Sequence, residues 1–202
     1  MITCIVLAAG ESKRFDGNKL LFEIKPNVTI IEYLLSSIID SKVDRILVVL
    51  GHEAELVNKK VQRLNAGIQT IINPHYKQGG MSSSIRRGME EVLDSHAIMI
   101  TPADIPLIPS EVFNRLIGHY TSMSPIVIIP TYQGQKGHPI LIDSQLFEYV
   151  LNISEEKRGL KEIIELFKDE VVFLPTNSQG ILHDIDSFSD IIHIRSKMNE
   201  IC

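Results

Sequence analysis

Three stretches of this 202-residue chain place phosphate-handling residue types directly after apolar runs. The first is Leu7-Ala8-Ala9-Gly10-Glu11-Ser12-Lys13-Arg14-Phe15-Asp16-Gly17-Asn18-Lys19. Ala8, Ala9 and Gly10 leave the main chain bare, so a ligand can come close to its N–H groups and a flat base or sugar can lie against it. Arg14 and Lys19 bring positive charge that can meet phosphate oxygens. Gly17 and Asn18 supply turn conformations. The same types also make an ordinary strand-to-helix loop with solvated charges. The spacing is neither G-x-G-x-x-G nor a Walker A sequence, since no Gly-Lys-Ser/Thr occurs.

The second stretch, Asn73-Pro74-His75-Tyr76-Lys77-Gln78-Gly79-Gly80-Met81-Ser82-Ser83-Ser84, is expected to open a helix at Ser82. Hydroxyls and free backbone N–H groups at a helix N-terminus suit an acceptor-rich group, although a serine N-cap is common in its own right. The third is Thr101-Pro102-Ala103-Asp104-Ile105-Pro106-Leu107-Ile108-Pro109. Prolines bracket Asp104, whose carboxylate is well placed either to hold Mg²⁺, which prefers oxygen and often takes few carboxylates plus substrate phosphates, or to cap a turn.

The elements that must carry these loops read as alternating strands and helices. Short apolar runs at Ile2–Leu7, Arg45–Leu50, Ile68–Ile72, Ala97–Ile100 and Ile126–Ile129 predict strands covered on both faces. Helical spacing predicts helices over Ile30–Ile39, Glu53–Leu64, Ser82–Leu93 and Pro109–Tyr120. The last third breaks the rhythm. Pro139–Ile142 and Val171–Leu174 are strand-like, a helix is expected over Gly159–Phe167, and Thr131–Gly137 reads as a loop. The expected fold is α/β: a three-layer α-β-α sandwich with a mainly parallel, Rossmann-like sheet and one or two antiparallel strands, all in a single domain spanning 1–202. In such sheets ligands bind beyond the carboxyl ends of the strands, where the three stretches fall.

Composition narrows the function classes. With 44% hydrophobic residues the chain can bury a core without staples, and its net charge of −5 argues against a nucleic-acid partner. Its two cysteines, Cys4 and Cys202, form no C-x-x-C pair or disulfide framework, which suits a cytoplasmic setting. The apolar start stops at Gly10 without a basic flank, too short for a leader with a cleavage site. No run approaches the roughly 20 apolar residues of a membrane span. The seven histidines lack H-E-x-x-H spacing, and no Gly-x-Ser-x-Gly elbow is present.

The first stretch resembles the signature loop of the MobA-like NTP transferases, Leu-Ala-Ala-Gly-x-Ser-x-Arg-Phe-x-Gly-x-Lys, with Asp16 where that family more often has glycine. The resemblance implies that Leu7, Ala8, Ala9 and Gly10 meet a nucleotide and that Arg14 and Lys19 hold its phosphates. The run Asn73 to Ser84 is similar to the second signature of the molybdenum cofactor cytidylyltransferases, which implicates Gly80, Ser82, Ser83 and Ser84 in the nucleotide pocket. Asp104-Ile105-Pro106 matches the family's metal-binding Asp-x-Pro. His183-Asp184-Ile185-Asp186-Ser187 resembles its late His-Asp-x-Asp-Thr, making Asp186 the second metal ligand and leaving Asp184 to support it or cap the final helix. Gly137-His138-Pro139 resembles the Gly-His-Pro beside the acceptor pocket. Ser154–Leu160 matches the relatives' Gly-Asp-x-Gly-Ala-Arg loosely, with Arg158 in place of their arginine.

The resemblance implies a cytoplasmic, Mg²⁺-dependent nucleotidyltransferase with Lys19, Arg14 and Asp104 as its catalytic groups. CTP is the expected donor and molybdenum-loaded molybdopterin the expected acceptor, with a transient contact to a molybdoenzyme or its chaperone. The alternatives are a related transferase using GTP or a sugar phosphate, and a non-catalytic pterin- or nucleotide-binding chaperone of the same fold.

Overall fold

Seven consecutive buried residues form β1 (Ile2–Ala8), and their alternation explains the layering. Cys4, Val6 and Ala8 enter one hydrophobic cluster, and Ile5 and Leu7 enter another on the opposite face. A strand apolar on both faces must be covered on both. The structure is a computed structural model that describes residues 1–13, 15 and 17–200, with backbone alone for 193 and 196–200. Arg14, Asp16 and Cys202 lie outside the described residues.

The strands after β1 are β2 (Glu23–Lys25), β3 (Val28–Thr29), β4 (Arg45–Leu50), β5 (Gln69–Ile72), β6 (Ala97–Pro102), β7 (Val127–Tyr132), β8 (Gln135–Lys136), β9 (Ile140–Asp143) and β10 (Val171–Pro175). The main sheet runs in the order β10-β7-β9-β6-β1-β4-β5, with β8 paired to β7. β1 is parallel to both β4 and β6, and β4 is parallel to β5. β9 runs antiparallel between β6 and β7, and β10 returns parallel to β7. The expected three-layer, mainly parallel sheet is therefore present. Its antiparallel members are β9 and the short β8.

Helices cover both faces. On one side lie α1 (Ile30–Ile39), α2 (Ala54–Gln62), α4 (Ser110–Met123) and α7 (Phe188–Glu200). On the other lie α3 (Tyr76–Met89), α5 (Phe147–Leu151) and α6 (Leu160–Leu166). α1 opens with a capping box in which Thr29 N donates to Glu32 Oε2 at 2.8 Å. Among the described residues no helix is long and apolar enough to cross a membrane.

Four local features differ from the sequence reading. β2 and β3 form a small hairpin, and α5 adds a short helix, where the pattern gave no signal. The segment read as a loop at Thr131–Gly137 is the β7–β8 hairpin, turned by Gln133 (φ 48) and Gly134 (φ 80). Glutamine at the first left-handed position conceals the usual Asn-Gly signal. Helix α3 begins at Tyr76 instead of Ser82 and breaks at Gly80 (φ 56, ψ −156). The glycine pair read as loop is instead a kink inside the helix.

The helix-facing core predicts its own sensitivity. Phe113 of α4 is fully buried, and Phe113→Ala is expected to cost about 3–5 kcal/mol. Urea denaturation measures this, and a loss under about 1 kcal/mol would mean that the cluster is not packed as described.

Candidate active site

The central strand order β6-β1-β4 brings the ends of three strands side by side. The loop after β1 approaches the end of β4 closely because Gly51 has no side chain. A Cβ there would stand 2.7 Å from the Ala9 carbonyl oxygen and 2.8 Å from Tyr76 Cγ. His52 N donates to the same Ala9 oxygen at 3.2 Å, and Asn18 Nδ2 donates to the His52 carbonyl at 3.2 Å. Asn18 also caps the 3₁₀ turn Lys19–Leu21, accepting from Leu20 N at 3.1 Å, while Ser12 Oγ accepts from Lys19 N at 3.1 Å. Lys19 is thus oriented by backbone and cap on both sides.

Its ammonium joins two distant segments to its own loop. Lys19 Nζ donates to Asp104 Oδ2 at 2.6 Å and to the Ile185 carbonyl at 2.8 Å, and lies 3.5 Å from Asp186 Oδ1. The late segment is fixed to the loop after β6 by Ile185 N donating to the Asp104 carbonyl at 2.8 Å. That loop is fixed to β1 by Ala103 N donating to the Leu7 carbonyl at 3.0 Å. The Lys19 side chain is only 14% exposed, against 24% for Asp104 and 39% for Asp186, so these charges meet where water screens them incompletely. Asp104 and Asp186, 82 positions apart in the numbering, therefore flank one cation.

A cavity of about 270 Å³ opens beside this cluster. Lys19 and Asp104 form its charged end. Leu7, Ala8, Ala9 and Gly10 contribute largely bare main chain, and Tyr76, Gly80, Met81 and Ser84 line the other side. Ser82 and Ser83 stand behind the wall. All three serines are buried, and two of the donors expected at a helix N-terminus are already engaged, the Ser82 N–H by Glu155 and the Ser83 hydroxyl by the Gly80 carbonyl. Asn73 Nδ2 donates to Ser83 Oγ at 2.9 Å and to Ser84 Oγ at 3.0 Å, while Ser82 N donates to Glu155 Oε1 at 2.6 Å. Of the expected nucleotide-binding residues, the structure gathers Leu7, Ala8, Ala9, Gly10, Lys19, Gly80 and Ser84 on one cavity.

Gly137, His138 and Pro139 are not on that cavity wall. Gly137 packs against Ile181, where a Cβ would stand 2.6 Å from the Ile181 carbonyl oxygen. The His138 ring is held below the ordinary histidine pKa, chiefly by burial, with the Ile100 carbonyl and the charges of Asp104 and Asp184 opposing the shift. Its Nδ1 is buried without a hydrogen-bond partner among the described residues. Asp184 is not the cap of α7. Asp190 takes that part, accepting from Asp186 N at 2.9 Å and from Ser187 N at 2.7 Å.

As a metal site the donor set fits a hard cation that borrows ligands from its substrate. Two carboxylates from separate loops face the same point, and among the described residues no group of three or more His, Cys, Asp or Glu converges to hold a metal by itself. Sequence reasoning missed the parts played by Ser12, which lines the cavity and holds Lys19 N, and by Asn18 and Asn73, which hold the site's segments in place without lining it. Asn73 carried the one available signal, a polar residue at the first position after a strand.

Bifunctional protein GlmU of Staphylococcus epidermidis is 28% identical over 98% of this chain and 47% of its own length, so the chain spans about half the length of that curated relative. A nucleotidyl transferase from Methanothermobacter thermautotrophicus superposes with a TM-score of 0.84 at 20% identity, covering 100% of this chain and 99% of that one. Rv0371C from Mycobacterium tuberculosis, in complex with manganese, superposes with a TM-score of 0.75 at 20% identity over 96% and 98% of the two chains. These likenesses carry the fold. The MobA-like NTP transferase domain matches residues 4–171, which include the loop after β1, the broken helix and Asp104, and the chain belongs to that family.

Proposed function

We propose that this chain is a nucleotidyltransferase that moves CMP from CTP onto the terminal phosphate of molybdenum-loaded molybdopterin and releases pyrophosphate. The observation that carries the reading is the Lys19 ammonium held between Asp104 and Asp186 at the end of a cavity walled by bare backbone. A phosphate-binding cation, two carboxylates and an approachable main chain are what an NTP with its metal requires.

An acceptor phosphate oxygen forms a bond to the α-phosphorus of CTP as the bond from that phosphorus to the bridging oxygen breaks. Pyrophosphate leaves with the electron pair. The acceptor phosphate is already ionised, so no protein base is called for. The chain's part is to position two anions and to offset their charge. Lys19 and Arg14 act on the phosphates, and the loops Ala8–Gly10 and Gly80–Ser84 hold the nucleoside. Asp104 and Asp186 would hold Mg²⁺. When bound, the ion supplies positive charge to the phosphate oxygens. Gly137, His138 and Pro139 are assigned to the acceptor, a reading supported by the nearness of His138 to the charges of Asp104 and Asp184. The manganese complex of the mycobacterial structure supports a divalent ion in this fold. A cytoplasmic setting fits a buried reduced thiol at Cys4.

The test is pyrophosphate release in a screen of NTPs with Mg²⁺ against molybdenum-loaded molybdopterin. Release with CTP is expected. Release only with a sugar phosphate as acceptor would move the chain to another branch of the family, and binding without release would make it a chaperone.

Lys19→Ala is expected to lower turnover by about 10²- to 10³-fold, as the loss of one preorganised donor does elsewhere. Near-normal turnover in the folded variant would remove Lys19 from the chemistry. Asp104→Asn and Asp186→Asn should each weaken Mn²⁺ binding in the presence of CTP by at least about tenfold, read by electron paramagnetic resonance of the free ion. Unchanged affinity in either variant would take that carboxylate out of the metal site.

The base preference has a separate readout. A purine's second ring between the two small-residue loops would clash or leave polar groups unpaired at about 1–3 kcal/mol each. Thermal stabilisation by CTP with Mg²⁺ should therefore exceed that by GTP, and equal or greater stabilisation by GTP would refute the preference.

A further inference from the structure

The wall of the cavity opposite the β1 loop is a broken helix, and a carboxylate from another part of the chain closes the break. At Gly80 the backbone leaves the helical path (φ 56, ψ −156). Met81 onward therefore starts a new helical segment, whose first N–H groups have no carbonyl in a preceding turn to meet. Glu155 Oε1 accepts from Ser82 N at 2.6 Å. The Glu155 side chain lies across Gly80, where a Cβ would stand 2.7 Å from both its Cγ and its Cδ. Any residue other than glycine at position 80 would push this carboxylate away.

The turn that carries Glu155 is built to hold it there. Gly159 N donates to the Ser154 carbonyl at 2.8 Å, and Arg158 N to the Glu155 carbonyl at 3.0 Å. Gly159 takes φ 57 and approaches Ser82 so closely that a Cβ would stand 3.0 Å from Ser82 Oγ. From behind, the corner is fixed through Ser83, whose Oγ donates to the Gly80 carbonyl at 2.9 Å and accepts from Asn73 Nδ2. Gly80 and Met81 line the cavity, whereas Glu155 does not.

We infer that Glu155 is a positioning residue for the nucleoside end of the bound NTP: its carboxylate fixes the Gly80–Ser82 corner that the base and sugar meet. The inference rests on the nucleotidyl-transfer reading. A charge-assisted bond to a helix N-terminus is strong and favourably placed. Its loss frees the one side of the corner that Asn73 and Ser83 do not hold. The phosphates, at the Lys19 and Asp104 end, do not depend on this corner.

Calorimetric titration with Mg²⁺ present separates the two ends. The probes are inorganic tripolyphosphate and whichever of CTP and GTP the wild type binds more tightly. Glu155→Ala should weaken the nucleotide by about tenfold while leaving tripolyphosphate within about twofold. Glu155→Gln, which keeps an acceptor oxygen, should stay within about threefold of the wild type for both. The side chain is exposed, so both variants should melt with the wild type. Wild-type nucleotide affinity in Glu155→Ala, or an equal loss for nucleotide and tripolyphosphate, would overturn the inference alone. A wild type that binds neither probe would overturn the nucleotidyl-transfer reading and the inference with it.

Discussion

Two carboxylates brought to one point repel unless positive charge stands between them, and in this protein the ammonium of Lys19 supplies that charge. The arrangement of the rest of the site follows from it. Asp104 must sit beyond β6, Asp186 before α7 and Lys19 at the end of the loop after β1. Only a sheet with β6 beside β1 puts the first and third of these within reach of each other. Backbone N–H groups then hold the geometry without using the charged groups: Ala103 N to the Leu7 carbonyl, Ile185 N to the Asp104 carbonyl, and Lys19 N to the Ser12 hydroxyl. The functional side chains are left to face one another.

Small residues do the complementary work of letting segments come close. Gly51 admits the Ala9 main chain and the Tyr76 ring to one spot, and Gly80 admits the Glu155 side chain. The result is a cavity with a charged end and a main-chain end, suited to a ligand with the same division. A polar cluster of this kind is worth little in water and considerably more where the surroundings exclude it, which is why the low exposure of Lys19 matters more than the count of its partners.

The strands were legible because each buried one is a short apolar run bounded by polar residues, and Ile2–Leu7, Arg45–Leu50 and Ala97–Ile100 all reappear within two residues of their expected ends. The β7–β8 hairpin was not, because Gln133 adopts a left-handed conformation that its residue type does not advertise. The placement of Lys19 and Asp104 beyond strand ends followed from pattern alone. That Asp186 joins them is a tertiary fact, visible beforehand only as a family motif. The serines mark the limit most clearly. Their sequence suggests hydroxyls and backbone N–H groups left open at a helix start, but Asn73, ten and more positions away, donates to the Ser83 and Ser84 oxygens and Glu155 takes the Ser82 N–H. No local pattern encodes such partners.

The proposed function requires one divalent ion and the triphosphate to meet at the cluster of Lys19, Asp104 and Asp186. Anomalous diffraction from crystals grown with CTP and Mn²⁺ tests it most directly. A manganese peak beside the carboxylates of Asp104 and Asp186 is expected, with the Lys19 ammonium moved from between them onto the phosphates of the nucleotide. A peak elsewhere, or a nucleotide bound outside the cavity between the Ala8–Gly10 and Gly80–Ser84 loops, would contradict it.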